Sequence, residues 1–299
     1  KLKPYYKKIM VIDDLADRKH QCDILLDQTF GRQREDYLPL TPKGCKLFLG
    51  SQYALLRPEF SKWRLYSLER RSKPEFKKLL INMGGIDIDN VTGSVLNELK
   101  ICNLPNDINI TVVMGRLAPH LESIKSKVNA LPYKAEVKVD VDNMAEIMSN
   151  ADIAIGAAGS STWERCCLGL PTIQIVIAEN QINIAKNLNS INAIQLIDDM
   201  HQLSRSINNI SHSISKMSLA SSSIVDGKGS IRASKFISSH KKYVDLFFMR
   251  PAELEDIDFV YSLQTKEIRK YFINTEVSGM EQHIDWFQKT IDSQSSQLF

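Results

Sequence analysis

The sequence predicts an α/β protein centred on a complete doubly wound, Rossmann-like domain with a parallel sheet. Two observations carry that class. From about residue 78 to 197, short β-rich runs alternate with helical runs, and Gly, Pro or Asn turns separate them. At 299 residues, with 43% hydrophobic and 24% charged, the chain is also long enough for two proper cores.

Taken in order, "KLLINM" reads as a strand that runs into Gly84-Gly85 and then a helix at "NVTGSVLNELK". "INITVVMG" is the next strand and "HLESIKSKVN" its helix, followed by the strand "AEVKV" and the short helix "NMAEIMSN". "ADIAIG" is a strand whose helix runs from about Ser161 to Leu168, and "TIQIVI" is another. "QINIAKNLNS" is a helix and "AIQLI" a last strand. Six strands joined this way form βαβ units, which favour right-handed crossovers and a parallel sheet. The domain is expected over 75–240.

Residues 1–70 have the same flavour without the full set of units. "IMVIDD" and "CDILLDQ" are apolar strands ending in acids, and "CKLFLGSQYALLRPEF" is a strand running into a turn. This reads as the carboxyl-terminal part of an incomplete amino-terminal α/β domain. "SLERRSKPEF" (67–76) is a charged, Pro-containing connector and marks the boundary. Residues 197–243 are polar and mostly helical, with a turn at Asp226-Gly227-Lys228-Gly229. From about 245 the character changes to a strand and a Pro-capped acidic helix start, a new unit over 245–299. The chain opens on Lys1 and closes on "SQLF", and both ends are expected to be cut.

Composition excludes several classes of function. Thirty-eight basic residues stand against 35 acidic ones, and a net charge of +3 is too balanced for a nucleic-acid or anionic-membrane partner. Neither a transmembrane run nor a signal peptide is visible. Five cysteines without C-x-x-C spacing indicate neither a disulfide framework nor a zinc site, which suits a cytoplasmic setting. Cys166 and Cys167 read as small apolar residues on a packed helix.

The stretch that raises a question of chemistry is "ADIAIGAAGSSTWERCCLGLP" (151–171). Gly156 and Gly159 allow a sharp turn and close approach of a ligand, and the N–H groups at a helix start favour an anion. Ser160, Ser161 and Thr162 can either cap the helix or bond phosphate oxygens. The turn is neither G-x-G-x-x-G nor a Walker loop, and an ordinary N-cap explains it as well. Gly84-Gly85 makes the same kind of turn, and two such turns at the carboxyl ends of strands in one sheet could flank one crevice. Glu164, on the first turn of the helix, either complements the dipole or accepts hydrogen bonds from ribose hydroxyls. Asn180 and Gln181 end the next strand with amides suited to sugar hydroxyls, or simply cap a helix. Asp13, Asp14 and Tyr53 end strands of the first half and would face the same cleft. Of the six histidines, His20, His120 and His283 lie outside the polar tract, and none falls in a nucleophile or metal constellation.

Those residues resemble a known family. The run "GSQYALLRPEF … INMGGIDIDN … MAEIMSNADIAIGAAGSSTWERCCLGLPTIQIVIAENQ … DGKGSIRAS" is similar to the UDP-sugar hydrolases of pseudaminic acid biosynthesis, relatives of the MurG-like glycosyltransferases of GT-B architecture. The likeness spans about residues 5–240. It implies a GT-B-like fold and hydrolysis of UDP-2,4-diacetamido-2,4,6-trideoxy-β-L-altropyranose to UDP and free sugar, with no cofactor and the UDP-sugar as partner. By that resemblance Gly84, Gly85, Gly159, Ser160 and Ser161 meet the diphosphate and Glu164 the ribose. Asn180 and Gln181 lie by the sugar or the phosphates, and Tyr53 and Asp14 are the catalytic candidates from the first half. The family's first βα turn carries a G-x-G-H segment that this sequence does not contain, so UDP binding is expected to survive and hydrolysis to be crippled. The alternatives are a MurG-like UDP-sugar glycosyltransferase and a catalytically incomplete binding module. Residues 245–299 resemble the start of a GNAT-type N-acetyltransferase, an α+β unit that would use acetyl-CoA.

Overall fold

The computed structural model describes residues 8–239, 257–262 and 279–292. The chain divides into two compact units, Lys1–Ser239 and His240–Phe299. In the first, β1 (Met10–Ile12), β2 (Ile24–Asp27) and β3 (Lys46–Leu49) pair in parallel in that order. A second parallel sheet holds β4 (Lys78–Asn82), β5 (Asn109–Met114), β6 (Lys134–Val139), β7 (Ile153–Ala157), β8 (Thr172–Ile175) and β9 (Gln195–Ile197). Its order, β6-β5-β4-β7-β8-β9, is that of a doubly wound fold.

Alternation of side chains along each strand builds the core on both faces of this sheet. Leu79, Ile81, Val112, Ile153 and Ile155 join one apolar cluster, while Leu80, Val113 and Ala154 join the other. The helices between strands are α2 (Val91–Leu99), α3 (Leu121–Asn129), α4 (Met144–Asn150), α5 (Ser161–Cys167) and α6 (Ile182–Ser190). Three more, α7 (Gln202–Ile210), α8 (Ile214–Ile224) and α9 (Gly229–Ser239), follow β9. All of the strands and helices expected between residues 78 and 240 are present, each within a few residues of its expected span.

One stretch departs from expectation. "RPEFSKWRLYSLERR" is no turn with a charged connector; Pro58–Arg71 forms helix α1. Pro58 stands at a first-turn position, where its missing N–H costs nothing, and α1 buries Phe60, Ser67 and Arg71. Its arginines are tied to helix ends far away in sequence. Arg64 donates to the carbonyls of Cys167, Ser222 (2.8 Å) and Val225 (2.9 Å), at the ends of α5 and α8. Arg70 pairs with Asp152, whose other carboxylate oxygen takes the N–H groups of Lys77 and Lys78, both at 2.8 Å. Cations at helix carboxyl ends complement both the orphan carbonyls and the dipole.

Helix α9 carries the chain back to the first sheet. Ala233, Phe236 and Ile237 pack on Ile24, Leu26 and Phe48, with the Phe48 and Phe236 rings edge to face at 4.9 Å. The Ser51 hydroxyl donates to the Ile224 carbonyl at 2.9 Å, and Arg232 to that of Gln52 at 2.8 Å.

The five cysteines are free thiols. Burial pushes Cys166 up to about 12 and Cys167 to about 11, so both stay protonated and unreactive. No helix among the described residues is long and apolar enough to cross a membrane. In the second unit, α10 (Ile257–Ser262) and α11 (Met280–Asp292) meet through Tyr261 and the buried His283, ring centroids 5.1 Å apart. The strand expected near residue 245, and most of the acetyltransferase-like segment, lie outside the described residues.

Candidate functional site

The order of the six-stranded sheet reverses between β4 and β7, and open α/β sheets bind ligands at such a switch point. The two glycine turns leave the sheet there. Asn82 of β4 is in register with Gly156 of β7, so the Gly84-Gly85 turn and the Gly156–Ser160 turn are neighbours. The two turns expected to flank one crevice thus leave adjacent strands of the sheet. Gly84 sits at φ +94°, and at neither Gly84 nor Gly85 does anything come within 4 Å of where a Cβ would stand.

The two turns differ at the helix that follows. Asp87 closes the start of α2 from within: its carboxylate accepts the N–H groups of Val91 and Thr92, each at 2.9 Å. The start of α2 is therefore already held by an acid. At α5 no such cap exists. Ser160 is exposed and makes no side-chain capping bond, and no backbone carbonyl among the described residues takes the N–H groups of Gly159, Ser160 or Ser161. Of the two roles open to these hydroxyls, Ser160 does not fill the cap.

Beneath the turn lies a residue that sequence reading passed over. Arg165 is 2% exposed and donates to the Ala157 carbonyl (2.6 Å), the Ser161 hydroxyl (3.0 Å) and the Thr162 hydroxyl (3.2 Å). Gln174 of β8, wholly buried, reaches the same Thr162 hydroxyl at 2.5 Å. Two sequence signals pointed here: a lone glutamine inside the apolar run "TIQIVI" and a base leading straight into the uncharged run "CCLGL". Gly156 makes the arrangement possible, because a Cβ there would stand 2.6 Å from Arg165 Nη1 and 3.1 Å from the Asn82 carbonyl oxygen. Gly156→Ala is expected to lower stability by about 1–3 kcal/mol through overpacking, measured as a shift of the urea midpoint.

Glu164 is half-buried on the first turn of α5. Burial pushes its carboxyl up, Arg57 and Arg165 pull it back, and Glu59 adds to the rise. Gln181 lies against the turn, its amide nitrogen 3.6 Å from where a Cβ on Gly159 would stand, while its Oε1 accepts the Ile177 N–H at 3.1 Å. Asn180, beside it, lines a cleft of about 720 Å³ whose other wall comes from the first sheet and includes Asp14, Thr29 and Arg32. Asp14 and Asn180 thus line one cleft, and Gln181, the chain neighbour of Asn180, lies against the turn that carries Gly159, Ser160 and Ser161.

Asp13 and Asp14 part company. Asp13 is 6% exposed and accepts from the Tyr37 hydroxyl (2.7 Å) and the Ala16 N–H (3.0 Å), with His20 Nε2 at 3.3 Å. Burial opposes its charge, but those partners outweigh it and hold the carboxyl below the ordinary range. Asp14 is exposed on the cleft, and its carboxyl is pushed up by desolvation and by the Asp13 and Asp27 carboxylates. Tyr53 stands apart from these: its ring stacks on Phe48, centroids 5.0 Å apart, in the apolar cluster that receives α9. His120 bonds the Ile88 carbonyl at 2.9 Å, away from the cleft residues. Among the described residues no cluster of His, Cys, Asp or Glu could hold a metal ion.

Comparison with known proteins agrees with this fold. Residues 86–237 match the glycosyltransferase family 28 C-terminal domain. The chain is 29% identical over 178 residues to the UDP-2,4-diacetamido-2,4,6-trideoxy-beta-L-altropyranose hydrolase of Campylobacter jejuni, covering 60% of this chain and 61% of that protein. It is 28% identical over 202 residues to the spore coat polysaccharide biosynthesis protein SpsG of Bacillus subtilis, covering 64% and 58%. These matches span about three fifths of each relative's length, and a third relative is matched over 36% of its own. Among solved structures, MurG of Acinetobacter baumannii superposes with a TM-score of 0.57 over 80% of this chain and 68% of that one, at 16% identity. That likeness is one of fold, GT-B.

Proposed function

We take as premise that the chain belongs to the glycosyltransferase family 28 C-terminal domain family, and we propose that it binds a UDP-sugar at the switch point and hydrolyses it to UDP and free sugar. The observation that carries the reading is the uncapped Gly156–Ser161 turn with its buried cation, next to Gln181, whose chain neighbour Asn180 lines a cleft together with Asp14. In this reading the N–H groups of the turn, Ser160 and Ser161 take the diphosphate, with Gly84 and Gly85 forming the neighbouring wall. Glu164 accepts from the ribose hydroxyls, and Asn180 and Gln181 donate to sugar or phosphate oxygens. Asp14 is the general base. It takes a proton from water as the water oxygen bonds the anomeric carbon, and the bond from that carbon to the diphosphate breaks with its electron pair going to UDP. The Campylobacter jejuni relative bears the name of such an activity, and the sugar proposed is of that class, a 2,4-diacetamido-2,4,6-trideoxy hexose.

Calorimetric titration of UDP into the chain, beside Glu164→Ala, tests the placement. A hydrogen bond to a charged group is worth ~1.5–3 kcal/mol, so the variant is expected to bind at least about tenfold more weakly. Equal affinities in two folded proteins would remove the nucleotide from this turn. Incubation with the UDP-sugar then separates hydrolysis, seen as free sugar without an acceptor, from transfer, seen only when an acceptor is added.

A further inference from the structure

We infer that Arg165 is a positioning residue for the diphosphate: from beneath the turn it fixes the Ser161 hydroxyl as an outward donor and supplies positive charge to the anion. The inference rests on the reading of the turn as a diphosphate site and names the group that makes it one.

Ser161 has a single hydroxyl proton. Its oxygen already accepts from Arg165 Nη1 at 3.0 Å, so its own proton has to point elsewhere. Ser161 is half-buried beside the exposed Ser160, at the uncapped start of α5. A hydroxyl whose oxygen is occupied in this way suits a partner that only accepts, as phosphate oxygens do.

The charge has no other evident employment. Arg165 bonds one carbonyl and two hydroxyls and no carboxylate, and its Nε has no partner at all. Its helix neighbours Trp163, Cys166 and Cys167 are all buried and uncharged. Its chain neighbour Glu164 supplies charge but no hydrogen bond. Burying a cation is costly unless something pairs with it. Tying α5 to the sheet does not call for a cation, because Gln174 of β8 already donates to the same Thr162 hydroxyl and reaches the Ala157 carbonyl at 3.4 Å. An anion seated on the turn would be the missing partner.

The test compares UDP with uridine on three proteins: wild type, Arg165→Met and Arg165→Lys, each checked for its thermal midpoint. Arg165→Met is expected to weaken UDP by about tenfold to a hundredfold while uridine stays within about twofold, and Arg165→Lys to recover part of the loss. In the Met background, Ser161→Ala is expected to cost less than in wild type, because the two act through one hydroxyl. Equal weakening of UDP and uridine would mean that Arg165 only holds the turn together, and unchanged UDP affinity in a folded variant would overturn the inference outright. Should the Met variant not fold, Arg165→Lys decides by the same ligand contrast. A wild type that binds no UDP would remove the diphosphate site itself, a result separate from one in which wild type binds and Arg165 is irrelevant.

Discussion

Arg71→Met is expected to cost the first unit about 3–5 kcal/mol, because it strips a buried cation from a set of acceptors of which only the Ala151 carbonyl is also reached by another side chain, that of Arg70. Arg71 is 5% exposed. It donates to the Ser67 hydroxyl (2.6 Å) and to the carbonyls of Ser67 (3.0 Å), Met148 (3.0 Å), Ser149 (3.2 Å) and Ala151 (2.8 Å). The last three close the carboxyl end of α4, where carbonyls lack intrahelical partners. Burial, and then the charge of Arg70, push the guanidinium down to about 9, so it is still a cation at neutral pH and matches the negative end of the helix. Methionine fills much of the volume and none of the bonds. The measurement is the urea midpoint at unchanged m-value, with Arg71→Lys expected in between. A loss below about 1 kcal/mol would mean that water reaches the freed carbonyls.

That residue also illustrates what could be read from the chain alone. The order of strands and helices from 78 to 240 was legible because periodicity and turn residues are local signals. The two glycine turns were legible for the same reason, and their convergence followed from the general topology of such sheets. Arg64, Arg70 and Arg71 were not. Arg70 and Arg71 read as part of a charged connector and Arg64 carried no reading, since charged residues are mostly solvated, and most of their partners are backbone carbonyls 77 or more positions away. A carbonyl has no signature in sequence. Helix α1 disappeared with them, although Pro58 followed by Phe60, Trp63 and Ser67 gave it a start and a face.

The site divides along the same line. Glu164, Gln181 and Asn180 were found because residue type and position after a strand suggested chemistry. Arg165 was missed because its role depends on the bare backbone of Gly156 and on Gln174 of another strand. Asp13-Asp14 was visible as a pair, but nothing local told which carboxylate would be buried under Tyr37. Tyr53 was read from its place at a strand end; the stacking on Phe48 depends on α9, which arrives some 180 residues later.

The division between the two aspartates gives the largest expected effect on chemistry. Asp14→Asn is expected to lower sugar release by ~10²–10⁴-fold while UDP affinity stays within about threefold, because a general base contributes to the transition state and little to nucleotide binding. The structure favours Asp14 over its neighbour on three counts. Its carboxylate faces the cleft and accepts no hydrogen bond from the described residues, whereas that of Asp13 is saturated. Its backbone is fixed, with Arg32 donating to its carbonyl at 2.7 Å while Arg32 is itself held by Asp27. And desolvation, followed by the Asp13 and Asp27 charges, makes it a stronger base than an ordinary aspartate. The sign follows directly. Only the deprotonated form can take a proton, so the rate rises with pH through the raised pKa, and the acid limb of the profile is displaced upward from that of an ordinary aspartate. Asp13→Asn, by contrast, is expected to lower stability through Tyr37, Ala16 and His20 and to leave an acid limb in the folded fraction. An unchanged limb and rate in Asp14→Asn would move the base to another group on the cleft.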